Sequence, residues 1–323
     1  MSEKTPAKDS PPKDSDSRIT LIGTGTIGLS FAAFHLAHLA HPSQLTIYDT
    51  RPDVAGYVRA ELPKYFPAET QSSLPSIDFS SINIAASLPT AVQNATIVQE
   101  SGPENAPFKT SLWAEVEKHA PKDALFWSST SGIPASQQSA QMAEPGRVLV
   151  VHPYNPPHVM PLLELVPSPS TPRGVIRRTE SFWEERGRVP VRLRKEVTGF
   201  VANRLAFALL REAVHLVDQG VVSVREVDQI VQSSMGPRWA VAGPFKSYHA
   251  GGGPGGLEGF FENIGGTVQG CWDELGTPRV GGGWEERIFK EANEAYGVVD
   301  VGERDRVTRR VLRVLEEERG GKE

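Results

Sequence analysis

Ile19-Thr-Leu-Ile22-Gly23-Thr-Gly25-Thr-Ile-Gly28, completed by Leu45-Thr-Ile-Tyr48-Asp49, decides how this chain is read. The β-branched run 19–22 predicts a strand and the glycines a tight turn. The Ala/Leu/Phe-rich stretch 29–40, unbroken until Pro42, predicts a helix. In such a strand–turn–helix unit each glycine has a separate task. Gly23 permits the turn, Gly25 lets the backbone approach a pyrophosphate, and Gly28 lets the helix pack close to the strand. Free N–H groups at the helix N-terminus, around Thr26 and Ile27, then face the phosphates. Asp49 ends the next strand, 45–48, at about the 20-residue spacing of a dinucleotide fingerprint. Its carboxylate suits the adenine ribose hydroxyls and repels a 2′-phosphate, so NAD is expected rather than NADP. Arg51 is the opposing feature, with a solvated loop arginine as the alternative reading.

Working outward, apolar runs at 82–85, 97–98, 125–127, 148–151 and 189–193 predict further strands, with a helix at 108–119 among them. Alternation of this kind predicts an α/β fold, a Rossmann-type doubly wound parallel sheet. Helical periodicity dominates afterwards, at 198–219, 224–233, 256–275, 284–296 and 304–318. The expected organisation is a disordered tail at 1–17, an NAD-binding domain at 18–196 and an all-α substrate and dimerisation domain at 197–323. The glycine runs 251–256 and 281–283 are expected to be flexible connectors.

Composition narrows the partners. The 323 residues are 39% hydrophobic and 23% charged with a net charge of −5, which gives no bulk attraction to nucleic acid and favours a small molecule. A single cysteine, Cys271, excludes an intrachain disulfide. No apolar stretch approaches the roughly 20 residues of a membrane span, and a cytosolic location is expected. His35, His38 and His41 recur every three residues, but a regular helix spreads them through about 200°, so no metal site is expected.

His152 directly follows the strand 148–151, which places it at a carboxyl end, where ligands bind in open α/β sheets. A histidine titrates near neutral pH and can take a proton from a secondary alcohol as hydride leaves. Glu164 can accept the other ring N–H and hold the tautomer. From the residues alone, a turn cap is the favoured reading of Ser131 before Gly132, and buried polar packing that of Asn203.

Several motifs recur in order: the glycine loop; Gln99-Glu-Ser-Gly-Pro-Glu104-Asn with Lys109; Ser128-Ser-Thr-Ser131-Gly; His152-Pro-Tyr-Asn155-Pro-Pro leading to Leu163-Glu164-Leu-Val-Pro; and Gly199-Phe-Val-Ala-Asn203-Arg. Over 18–244 they resemble the 3-hydroxyacyl-CoA dehydrogenase superfamily, in particular its L-gulonate 3-dehydrogenase, or lambda-crystallin, branch. The resemblance implies His152 as general base with Glu164 orienting it. Ser131 and Asn203 would act on the substrate, and Glu104, Lys109, Ser131 and Asn155 would line the nicotinamide half of NAD. It also implies a homodimer. Lysine is sparse between Thr50 and Pro89, where acyl-CoA members carry a basic helical insertion, and Met235-Gly-Pro-Arg238-Trp-Ala-Val-Ala-Gly-Pro244 resembles the gulonate branch. Arg238 is therefore expected to bind a free carboxylate, since a guanidinium fork fits one, with a structural or interface arginine as the equal alternative reading. The expected activity is NAD-dependent oxidation of a small 3-hydroxy acid. Carnitine-type or acyl-CoA dehydrogenation and a catalytically idle NADH-binding protein are the alternatives.

Overall fold

The computed structural model describes residues 16–66 and 77–320. The expected tail at 1–17 lies outside them except for its end, where Ser17 is buried and accepts a hydrogen bond from the Gln44 side chain at 2.9 Å. The chain divides into two compact units, Met1–Asn203 and Arg204–Glu323. The first unit continues past the boundary expected at 196/197 because Phe200 is buried in its core and the N–H groups of Val201 and Ala202 are tied to Glu164.

The first unit is an eight-stranded sheet in the order β3-β2-β1-β4-β5-β6-β7-β8. Its strands are β1 (Ile19–Ile22), β2 (Leu45–Tyr48), β3 (Asn83–Ile84), β4 (Ile97–Glu100), β5 (Leu125–Ser128), β6 (Val148–Pro153), β7 (Leu162–Pro167) and β8 (Val189–Arg192). Strand order reverses between β1 and β4, both of which are followed by loops at their carboxyl ends. The expectation of a wholly parallel sheet needs one correction, since β6 and β7 pair antiparallel. A short connection joins them, and only an antiparallel pair can be closed so briefly. The run 162–167 carried no strand expectation because it was read only as a motif.

Strand residues alternate between two cores. Leu21, Ile97, Leu125 and Trp127 join one face with Phe31, Phe182 and Trp183, while Ile22, Val98, Phe126 and Val148 join the other with Trp113 and Phe200. Because both faces are covered, the central strands read as continuous apolar runs instead of alternating patterns. Helices α1 (Thr26–His38), α2 (Val54–Glu61), α3 (Leu88–Val92), α4 (Ala106–His119), α5 (Ala135–Gln138) and α6 (Arg173–Glu184) complete the unit. The histidines of the first helical stretch have separate fates. His35 is buried against Gln99, His38 bonds the Phe34 carbonyl, and His41 caps a short turn. No metal-binding cluster occurs among the described residues.

The second unit is helical: most of α7 (Ala202–Asp218), then α8 (Val224–Ser233), α9 (Met235–Val241), α10 (Pro244–Gly251), α11 (Gly256–Glu274), α12 (Glu285–Tyr296) and α13 (Val301–Gly320). Ser223 and Glu226 form a reciprocal capping box at the start of α8. The run 251–256 is a packed corner and not the loose connector expected. A Cβ at Gly252 would fall 1.7 Å from the Gly256 carbonyl oxygen, and one at Gly256 would meet the His249 ring at 2.5 Å.

Candidate active site

The dinucleotide loop is built as the glycine pattern requires. Gly23 adopts φ +98°, a conformation that only glycine takes readily, and a Cβ there would meet the Ser101 carbonyl oxygen at 2.7 Å. A Cβ at Gly28 would come within 2.0 Å of the Gly23 carbonyl oxygen, whereas Gly25 faces open space. The first turn of α1 has no side-chain cap and no acidic residue, so its N–H groups and dipole are available to an anion. Asp49 Oδ2 accepts the Thr24 N–H at 2.7 Å and its hydroxyl at 2.6 Å, while Oδ1 accepts the Arg51 N–H. Partial burial opposes ionisation of Asp49. The Thr24 hydroxyl and the backbone donors outweigh it, and hold the carboxyl below its ordinary range. The Arg51 guanidinium stacks on the Tyr57 ring at 3.6 Å, which occupies the one cation in the loop that argued for a 2′-phosphate. These features fit NAD, and NAD is the cofactor of this domain type.

Beyond the carboxyl ends of β4 and β5 lies a carboxylate network that the motif only hinted at. Glu100 is fully buried and accepts the Lys109 ammonium at 2.6 Å, the Gly102 N–H at 2.6 Å and the Ser128 hydroxyl at 2.7 Å. Lys109 is itself buried and lies 3.8 Å from Glu104. Glu104 accepts the Thr130 hydroxyl and the N–H groups of Ser131 and Gly132. Lys109 therefore spends its charge inside the protein, bridging two carboxylates that shape the Ser131 loop. Glu100 was missed at the sequence level. The available signal was a second glutamate ending a buried strand nine residues before a lysine.

His152 and Glu164 stand directly opposite each other in the β6–β7 ladder. Both are buried, and His152 Nδ1 lies 2.8 Å from Glu164 Oε2. The other carboxylate oxygen accepts the Val201 N–H at 2.8 Å and the Ala202 N–H at 3.0 Å. Burial alone would raise the Glu164 carboxyl, but the His152 ring and these two N–H groups hold it below its ordinary range. An ionised carboxylate can only accept, so the hydrogen bond places a proton on Nδ1 and fixes the orientation of the ring. The Phe200 ring packs against the imidazole with centroids 5.2 Å apart. Gly199 and Phe200 both take positive φ, 72° and 51°, and this left-handed pair aims the two N–H groups at Glu164. Phe200 is a further residue without an expected role, although the adjacent Gly199 marked the turn.

Ser131 is exposed in the loop after β5, whose neighbour β6 carries His152. Its carbonyl accepts from Asn203 Nδ2 at 3.4 Å, which makes Asn203 part of the first unit's loop cluster. Asn155 is exposed in the loop after β6. Arg238 is exposed on α9 in the second unit.

Residues 18–197 match the family model of the 3-hydroxyacyl-CoA dehydrogenase NAD binding domain, and residues 199–275 that of its C-terminal domain. The L-carnitine dehydrogenase of Streptomyces griseus is 34% identical over 301 residues, 92% of this chain and 89% of that one. That of Pseudomonas aeruginosa is 34% identical over 88% of both chains. Among solved structures, an NAD-dependent dismutase, 5-formyl-3-hydroxy-2-methylpyridine 4-carboxylic acid 5-dehydrogenase, superposes with a TM-score of 0.75 at 26% identity, covering 93% of this chain and 99% of that one. These curated relatives are named L-carnitine dehydrogenases, so the superfamily expectation stands while the gulonate branch gains no support. The chain belongs to the 3-hydroxyacyl-CoA dehydrogenase family and is an NAD-dependent oxidoreductase acting on CH–OH.

Proposed function

We propose that this protein oxidises the hydroxyl of a free 3-hydroxy acid to the 3-keto acid, with an L-carnitine-like acid ahead of L-gulonate or a CoA thioester. The observation that carries the reading is the buried Glu164–His152 pair, backed by the Val201 and Ala202 N–H groups, in a chain whose relatives are named L-carnitine dehydrogenases. NAD supplies the hydride acceptor when bound. His152 Nε2 removes the hydroxyl proton, and Glu164 stabilises the imidazolium without taking the proton itself. Ser131 and Asn203 hold the reacting oxygen, while Glu104, Lys109 and Asn155 shape the nicotinamide side.

Arg238, exposed on α9, receives the carboxylate. The reading includes a homodimer, in which a second copy covers the exposed Leu205, Phe207 and Leu210 of α7, and a cytosolic location. Absorbance at the NADH band with NAD and a panel of L-carnitine, L-gulonate, 3-hydroxybutyrate and 3-hydroxybutyryl-CoA tests it. A signal with a free acid that vanishes in His152→Ala supports it, and turnover of the thioester alone overturns it. Arg238→Met is expected to raise KM for the acid far more than it lowers kcat. Equal losses in both would remove the carboxylate role.

A further inference from the structure

The connection between β6 and β7 leaves the catalytic histidine and carries Asn155 beyond the carboxyl end of the sheet. Its anchor lies on neither strand. His158 donates its backbone N–H to Ser30 Oγ at 3.0 Å, and His158 Nδ1 lies 2.7 Å from the same oxygen. Ser30 is fully buried within α1, where serine is a poor choice for helix stability and needs a reason to be present. Because Ser30 Oγ already accepts the backbone N–H, its single hydrogen is available to Nδ1. One side chain thus holds both the backbone and the ring of His158.

The other side of the ring meets the edge of Tyr65, with centroids 5.3 Å apart and planes at 76°. Tyr65 is half-buried and hydrogen-bonded to the Thr26 side chain. Thr26 and Ser30, four residues apart, lie on the same face of α1. The result is a bracket, Thr26–Tyr65–His158–Ser30, standing on the first turns of the helix that receives the pyrophosphate.

We propose that His158 is a positioning residue for the nicotinamide half of the cofactor, fixing the β6–β7 connection and hence Asn155 through Ser30, while the Tyr65–Thr26 arm serves the pyrophosphate half. The inference rests on the placement of Asn155 beside the nicotinamide given above. It gives work to a buried serine and a loop histidine that the catalytic scheme leaves unused. The two arms differ in what they touch. Releasing His158 frees the loop but leaves the glycine turn and the α1 N-terminus intact, so the loss falls only on ligands that carry a nicotinamide.

The test is equilibrium binding of NADH and of ADP-ribose, which lacks the nicotinamide, to the full chain. Loss of the ring's hydrogen bond to Ser30 predicts that His158→Ala weakens NADH about three- to tenfold and leaves ADP-ribose unchanged. His158→Asn, whose side-chain amide can reach Ser30 in place of Nδ1, is expected to recover most of the loss. Ser30→Ala, which removes both hydrogen bonds, is expected to reproduce the selective defect at least as strongly, and His158→Ala is expected to add nothing to it, as coupled partners do. Tyr65→Phe is expected to weaken both ligands alike. Equal weakening of NADH and ADP-ribose by His158→Ala, or of neither, overturns the proposal. If that variant does not fold, the same comparison in Ser30→Ala and His158→Asn decides it. Both ligands bind whatever the substrate is, so failure of the proposed substrate reading would leave this result standing.

Discussion

The two compact units solve the burial problem differently. In the first, β1, β4, β5 and β6 are buried along their whole length, and helices cover both faces of the sheet. In the second, the fully buried apolar cluster is Val214, Val217 and Ile288, while Leu205, Phe207, Leu210 and Phe245 stand 57% to 78% exposed in the single chain. A unit of the first kind holds its site by its own packing. One of the second kind presents apolar surface of the sort that marks association. The difference fits the location of the His152–Glu164 pair, the glycine loop and the carboxylate network, all of which reside in the first unit, where packing fixes side chains most firmly.

Four experiments sharpen or break this contrast. The largest effect is expected at the pair itself. Glu164→Gln leaves the imidazole without its orienting carboxylate, and kcat/KM is expected to fall about a thousand- to ten-thousandfold with NADH binding unchanged. A loss below tenfold would show that the buried pair is not what organises the base. Next comes the buried ion pair. Lys109→Met strands Glu100 without its cation and is expected to lower the stability of the first unit by about 3–5 kcal/mol, read by urea unfolding through its buried tryptophans. A change under about 1 kcal/mol would mean that the pair behaves as a surface bridge.

The second unit is tested by Phe207→Glu with Leu210→Glu. Light scattering should report a dimer for the wild type and a monomer for the variant, whereas a monomeric wild type would refute the covering copy. The mildest expected effect is on acid stability. Burial lowers His35 from 6.5 to about 3, so below the ordinary value the unfolded chain binds a proton that the folded chain refuses. Its contribution is complete above about 6.5 and is lost as pH falls toward 3. Glu164 and Asp49 have lowered values of the opposite charge type, and their contribution is present above the ordinary carboxylate range and lost only in stronger acid. Stability of the wild type should therefore decline already between pH 7 and 5, and His35→Leu should flatten that decline. An equal slope in both would assign it to other groups.

Much of the α/β unit was legible in the chain. The glycine loop, Asp49 and the apolar runs are local signals, and in the helical unit Val224–Ser233 of α8 follows the span expected from its helical pattern. The β7 strand, the packed Gly251–Gly256 corner, α9 and α10 were not legible in that way. In β7, pairing with β6 rather than any periodicity imposes the extended form. At the glycine corner, close approach of backbone to backbone is what needs glycine, and composition alone cannot separate that from looseness. Lys109 shows the same limit at the site. Its sequence position suggested a cofactor contact, but only the fold reveals Glu100 beneath it.

By itself the sequence determined the dinucleotide turn, the alternating strands and helices around it, and the residue types for acid–base chemistry, because each depends on neighbours within a few positions or on a fixed period. Only the tertiary structure decided that His152 and Glu164 face each other, that Val201 and Ala202 supply two further donors to Glu164, that Glu100 neutralises Lys109, and that Ser30 holds His158. Those partners are separated along the chain by anything from nine to 128 residues. A hydrogen bond depends on ångström distances that no local propensity encodes, so it exists only once the whole sheet and its loops have packed.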